Sequence, residues 1–137
     1  MKIIVKFQYS VIVEYFLFAA CRHSYCKFLS EEINDLKAKG MVDATQIRNQ
    51  WQRYAEWSFE DDLGISENGF LISRHNDARV IKLMELWWEE YQNGCLRDQV
   101  SLISCMYRTD FMPYFQFIEI DIRNNNFVEV MRHKVDK

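Results

Sequence analysis

Glycine and proline are nearly missing from this chain, four and one among 137 residues. That scarcity excludes a flexible Gly/Ser linker, a Pro-rich spacer and a low-complexity tract, and the length suits one domain with a core of its own. No internal repeat is visible. Positive charge is not in excess either: seventeen Lys and Arg stand against twenty Asp and Glu, a net charge of −3. No basic block is interleaved with aromatics, so a nucleic-acid surface is not indicated. No stretch approaches the roughly 20 apolar residues that span a bilayer. The four cysteines, Cys21, Cys26, Cys95 and Cys105, lack the close Cys-x-x-Cys pairing of a zinc or redox motif. They read as free thiols of a reducing compartment, mostly buried as small hydrophobes, and neither Cys21 nor Cys26 has an evident base to make it a nucleophile. A glycine-rich phosphate loop, a Ser-x-x-Lys and a His-Glu-x-x-His are also absent.

The opening "MKIIVKFQYSVIVEYFLFAAC" loosely imitates a lipoprotein leader. Lys6, Gln8 and Glu14 interrupt its apolar run, however, whereas a signal h-region is uninterrupted. The expectation is a cytoplasmic protein.

What is present is apolar and aromatic. At 49% apolar and 15% aromatic residues the chain is neither disordered nor fibrous. Ser10 to Tyr15 has helical character. Phe16 to Cys21 is a continuous apolar run that suits a buried strand, delivering Arg22-His23 at its tip. Phe28, Leu29, Ile33 and Leu36 recur at helical spacing over 27–39, and Gly40 stops them. Asp43 opens a second helix with Ile47, Gln50, Trp51 and Tyr54 on one face. "SFEDDLGIS" is a polar loop, and "GFLISRH" over 69–75 reads as a short buried strand. Asn76 or Asp77 then caps a helix running to about Asn93. Its stripe of Val80, Leu83, Met84, Trp87, Trp88 and Tyr91 is fully amphipathic, and Gly94 suits the C′ position. Asp98 begins another helix with Val100, Ile103 and Tyr107 inward. After Pro113, "FQFIEIDIRN" alternates like a strand, and "NFVEVMRH" reads as another ending at His133.

Strands followed by helices describe an α/β domain, in which ligands gather at the carboxyl ends of strands. The chain's three histidines all sit at predicted strand ends behind an arginine: Arg22-His23, Arg74-His75 and Arg132-His133. Such tips could bind an anion such as phosphate, or a metal through imidazole nitrogen. Polar residues also simply follow buried strands. Asp98 is either a site carboxylate or the N-cap of its helix, and the cap is the first physical expectation. Trp87 and Trp88 lie in the apolar stripe and are expected in the core, with sugar stacking the lesser alternative. Glu31 and Glu32 read as a solvated face, although one could reach back to the His23 tip.

One long stretch carries a resemblance. "ENGFLISRHNDARVIKLMELWWEEYQNGCLRDQVSL" runs from Arg74-His75-Asn76 through Trp87-Trp88-Glu89 to Arg97-Asp98-Gln99 and Ser101. In that order it resembles the glycosyltransferase-like family of plant mucilage-related and turgor-regulation proteins and bacterial polysaccharide-biosynthesis proteins. "LFAACRHSYCKFLSEEI" is similar at His23, Glu31 and Glu32, "ATQIRNQWQRYAEWSF" at Gln50 and Tyr54, and "RNNNFVEVMRH" at the closing histidine. The chain departs from the family pattern at Cys26, where an arginine is usual, and at Ser30, where an aromatic is. The resemblance covers most of the chain and implies part of a GT-A-like, nucleotide-diphospho-sugar transferase domain, a mixed sheet flanked by helices. The family's nucleotide-binding first half, with its acidic metal motif, would lie before Met1, so that these residues correspond to the C-terminal, acceptor side.

The implied function is transfer of a sugar from a nucleotide-diphosphate donor to a saccharide or glycoconjugate in polysaccharide biosynthesis, assisted by Mn2+ or Mg2+. Asp98 would be the catalytic base or a donor-sugar contact. Arg97 and Gln99 would orient the sugar, with Arg74, His75 and His23 lining the pocket and His133 a metal or diphosphate ligand. The competing expectation is a non-catalytic fragment or module that binds saccharide or a partner chain. An exposed sheet edge makes a homodimer plausible.

Overall fold

The computed structural model describes residues 16–126. The expected helix at Ser10–Tyr15, the closing strand and Arg132-His133 lie outside them. The apolar run at the start becomes β1, Phe18–Arg22, whose first four residues are buried. It lies at the centre of a three-stranded mixed sheet in the order β2-β1-β3. Strand β2, Ser66–Ser73, pairs with it antiparallel, and β3, Phe115–Ile118, pairs parallel. Four α-helices, α1 Leu29–Ala38, α2 Ala44–Glu56, α3 Ala78–Asn93 and α4 Gln99–Arg108, and a 3-10 turn at Met112–Tyr114 complete the described elements. The α/β expectation therefore holds, with a mixed sheet and helices. Strand β3 is shorter than the alternation after Pro113 suggests. It ends at Ile118, and the chain turns at Asp121, whose carboxylate accepts from the Arg123 amide at 2.9 Å.

Local chemistry explains the helix boundaries. Asp43 and Asp77 hold extended backbone and cap α2 and α3 through Thr45, Gln46 and Arg79 amides. Helix α1 lacks a cap of its own. The loop residue Asp61 supplies one from afar, accepting from Leu29 N at 2.7 Å and Ser30 N at 2.9 Å. Gly40 stops α1 in the left-handed conformation, φ +65.

Alternation in β1 sorts the core into two layers. Phe18 and Ala20 face a large cluster with Leu29, Ile47, Leu83 and Ile103, while Ala19 and Cys21 meet Ile118 and Ile122 on the other side. Helix α4 is the spine of the large layer, buried at every position from Val100 to Met106. Its two buried hydroxyls bond backwards along the chain, Ser101 to the Asp98 carbonyl and Ser104 to that of Ser101.

The register between β1 and β2 jumps at one point. Ala20 pairs with Leu71, but Cys21 pairs with Glu67. Residues 68–70 are thus looped out, which sets a glutamate directly across from Cys21.

Candidate functional site

The corner between α3 and α4 is fixed from α2. The buried Gln50 amide donates to Tyr54 Oη at 2.7 Å and accepts from Cys95 N at 3.0 Å. Arg53 grips the buried Glu90 carboxylate of α3 with two nitrogens, at 2.9 and 3.2 Å. Gly94 sits against this network in extended backbone, φ −105 and ψ −150, rather than in the left-handed C′ conformation expected of it. It is left-handed Leu96, φ 56, that turns the chain. Glycine is required at 94 by crowding: a Cβ there would lie 2.5 Å from Gln50 Oε1 and 2.7 Å from the Glu90 carbonyl.

This corner and the end of α3 enclose a cleft of about 710 Å³, with Trp87, Trp88 and Tyr91 along one wall and Leu96, Arg97 and Asp98 along the other. Trp88 and Tyr91 stack, ring centroids 5.7 Å apart and planes 15° from parallel. Trp88 is 60% exposed, so its expected place in the core is corrected. The buried face of α3 is Val80, Leu83 and Glu90. Trp88 lies five residues past Leu83, roughly 140° around the helix at 100° per residue, and so falls on the flank. Trp87 is half-buried and ties the two walls, its indole N–H donating to the Asp98 carbonyl at 3.1 Å.

Asp98 does not cap α4. Its backbone is already helical, φ −63 and ψ −38, and its side chain makes no cap bond. An N-cap carboxylate reaches the N2 and N3 amides from extended backbone, as Asp43 and Asp77 do with ψ near 130. The Asp98 carbonyl instead accepts from Ser101 and Leu102 amides, leaving its carboxylate on the exposed lip of the cleft. Arg97 Nε is buried there without a hydrogen-bond partner.

Behind α4 lies a second, polar cluster. His23 follows β1, and its Nδ1 accepts from the amides of Cys26 at 3.0 Å and Tyr25 at 3.3 Å. The ring proton therefore sits on Nε2. That nitrogen faces Glu32 Oε2 at 3.5 Å and Glu67 Oε2 at 3.7 Å. Cys26 Sγ stands 3.5 Å from Glu32 Oε2. Burial, followed by the hydrogen bond to Glu32, pushes this thiol up to about 11. Glu67 Oε1 accepts from Arg123 at 2.7 Å and from Gln99 at 3.4 Å. The paired glutamates divide their roles: Glu32 reaches back into the cluster, and exposed Glu31 accepts from the Lys27 amide at 2.7 Å.

The residues singled out from the sequence thus fall into separate places. Arg97 and Asp98 share the aromatic cleft, whereas Gln99 turns inward and joins His23 through Glu67. Arg74 and His75 belong to neither group. Strands β1 and β2 are antiparallel, so their carboxyl ends lie at opposite ends of the sheet, with Phe18 beside Ser73 and Arg22 beside Ser66. The Arg74 amide bonds to Leu17 and the His23 amide to Ile65, so the two tips lie six residues apart along β1, at about 3.3 Å each on the order of 20 Å. Arg22 is taken up structurally, bound to Glu119 at 2.8 Å and lying over the Phe117 ring.

Sequence reasoning missed Glu67, Arg123 and the role of Cys26. The Cys26 thiol faces Glu32 at 3.5 Å, and burial with that contact raises it rather than activating it, in keeping with the expectation that it is no nucleophile. The turn that folds its amide onto the His23 imidazole brings it there.

No protein-family model, curated protein or solved structure matches this chain. No helix among the described residues is long and apolar enough to cross a membrane.

Proposed function

We propose that this chain binds a saccharide in the aromatic cleft and takes part in glycosyl transfer from a nucleotide-diphosphate sugar, as part of a GT-A-like domain of polysaccharide biosynthesis. One observation supports the reading above others. The stacked Trp88–Tyr91 pair, its tryptophan face open to solvent, stands opposite Arg97 and Asp98 in a single cleft. Aromatic faces suit the C–H surface of a pyranose, and a carboxylate with a guanidinium suits its hydroxyls. The resemblance of the Trp87-Trp88 to Arg97-Asp98-Gln99 segment to glycosyltransferase-like proteins supports the same assignment.

In this reading Trp88 and Tyr91 carry the sugar ring, and Arg97 orients it. Asp98 accepts the proton of the attacking hydroxyl as that oxygen bonds to the anomeric carbon and the bond from that carbon to the nucleoside diphosphate breaks. Gln99 acts at one remove, holding α4 to Glu67.

A divalent cation at the leaving diphosphate would neutralise its charge. Mn2+ or Mg2+ takes several oxygen ligands, and this wall offers the single carboxylate of Asp98 beside a guanidinium. The cleft does not fit such an ion, and no step is assigned to one. That same feature favours a second reading, a saccharide-binding module without transfer activity.

Calorimetry with UDP-glucose and UDP-galactose, with and without manganese, and with neutral and uronate oligosaccharides, separates the two. Transfer predicts nucleotide-sugar binding and product formation that Asp98→Asn abolishes with the fold intact. Oligosaccharide binding alone supports the module. Unchanged turnover in Asp98→Asn removes that residue from the chemistry.

A further inference from the structure

The cluster around His23 holds unbalanced negative charge. The Glu32 and Glu67 side chains are 7% and 8% exposed. Among the described residues the cation paired with them is Arg123, at 2.7 Å from Glu67. His23 is not a second one, because a proton on Nδ1 would face two amide N–H groups. Glu67 Oε2 is buried without a hydrogen-bond partner, 3.7 Å from His23 Nε2. A buried carboxylate oxygen in that position is costly and calls for a ligand.

The spacings identify the kind of ligand. His23 Nε2 to Glu32 Oε2 is 3.5 Å, His23 Nε2 to Glu67 Oε2 is 3.7 Å, and Cys26 Sγ to Glu32 Oε2 is 3.5 Å. Charge-assisted N–H···O bonds close to about 2.7–2.9 Å, so the imidazole stands apart from both carboxylates, while the Cys26 thiol hydrogen-bonds to Glu32. A tetrahedron with metal–ligand bonds of about 2.0–2.3 Å has edges of about 3.3–3.8 Å, which matches the His23–Glu32 and Cys26–Glu32 spacings. The donor atoms of His23, Cys26 and Glu32 lie within 4.8 Å of one another.

We propose that His23, Cys26 and Glu32 form a binding site for a zinc-type divalent transition-metal ion, separate from the saccharide cleft, with the Glu67 carboxylate as its charged neighbour. Nitrogen, sulfur and carboxylate oxygen together are a donor set that zinc accepts, and three protein ligands leave a fourth position for a water that donates to Glu67 Oε2. The ion ties the end of β1 to the first turn of α1. Uptake requires one local change. The turn at 24–26, whose Tyr25 is 75% exposed, releases its amides from Nδ1, and the ring proton moves there from Nε2. The Cys26 thiol proton leaves to solvent.

The test is titration of the metal-free chain, as expressed, with Co2+ followed by Zn2+. The expected result is one equivalent of cobalt with sulfur-to-cobalt charge-transfer absorption, displaced by one equivalent of zinc. Cys26→Ser removes that absorption, and Glu67→Gln, which takes away the neighbouring charge, weakens metal affinity by about 10–100-fold. Circular dichroism of each variant reports its fold. Failure of the wild-type chain to take up stoichiometric cobalt overturns the proposal without any variant. So does charge-transfer absorption that survives Cys26→Ser, which would place the thiolate at Cys21, Cys95 or Cys105.

Discussion

Replacing Gly94 by alanine isolates the joint that carries the cleft. The backbone at φ −105 is not left-handed, so the change acts mainly through space. The new Cβ meets Gln50 Oε1 at 2.5 Å, Gln50 Cδ at 2.7 Å and the Glu90 carbonyl at 2.7 Å. The carbonyl belongs to α3 and cannot yield without bending the helix. The Gln50 amide is held at both ends, by Tyr54 Oη and Cys95 N. Overpacking of a tight site costs about 1–3 kcal/mol. Loss of the Gln50–Cys95 bond adds about 1 kcal/mol. The sum is about 2–4 kcal/mol, or roughly 6–15 °C in Tm for a domain of this size. Urea unfolding followed by circular dichroism measures it. The m-value should be unchanged, since the exposed surface is the same. A destabilisation below about 0.5 kcal/mol would refute the reasoning, because the joint would then be free to shift.

Other expectations follow from the same geometry. Trp88→Ala should weaken oligosaccharide binding severalfold while moving stability by less than about 0.5 kcal/mol, because the ring is exposed; equal affinity in calorimetry would count against the cleft. At low pH, Asp77 is held down to about 2 by its bonds to the Arg79 side chain and amide, and Glu119 and Asp121 are lowered by Arg22 and by the Arg123 amide. Depressed carboxylates stabilise the fold above their unfolded values, so stability should fall as pH drops from about 4 toward 2, read by urea midpoints at each pH. At high pH the sign reverses. Burial raises Cys21 and Cys26 to about 11 from 9.0, so stability should decline as pH rises from 9 through 11. Thiol labelling near pH 8 should accordingly be slow in the native chain and fast in denaturant.

Periodicity and turn chemistry made most of the fold legible. The caps at Asp43 and Asp77, the stop at Gly40 and the apolar run of β1 each depend on neighbours within a few residues, so the sequence displays them. What it hid depends on distant partners. Glu90 falls on the inner face of α3 only because Arg53 of another helix neutralises it there. Asp61 caps a helix that begins thirty-two residues earlier. Arginine–histidine pairs at two strand ends looked like one site, but antiparallel pairing sends them to opposite ends of the sheet. The bulge opposite Cys21 carries Glu67 into the His23 cluster; Asn68-Gly69 within the looped-out residues is its local signal, but nothing local says what Glu67 would meet. The Asp98 question resolves against the cap, since backbone already helical cannot present the carboxylate to the following amides.

The account's central claim is that the α3–α4 cleft receives a saccharide. Its most direct test follows the indole N–H resonances of the four tryptophans during titration with oligosaccharides and with UDP-glucose. Two of them, Trp87 and Trp88, line the cleft, while Trp51 and Trp57 belong to the α2 region and do not line it. Saturable shifts at Trp87 and Trp88 with Trp51 and Trp57 unmoved are the predicted result. Shifts confined to Trp51 or Trp57, or no shift at any indole in a folded chain, would contradict it.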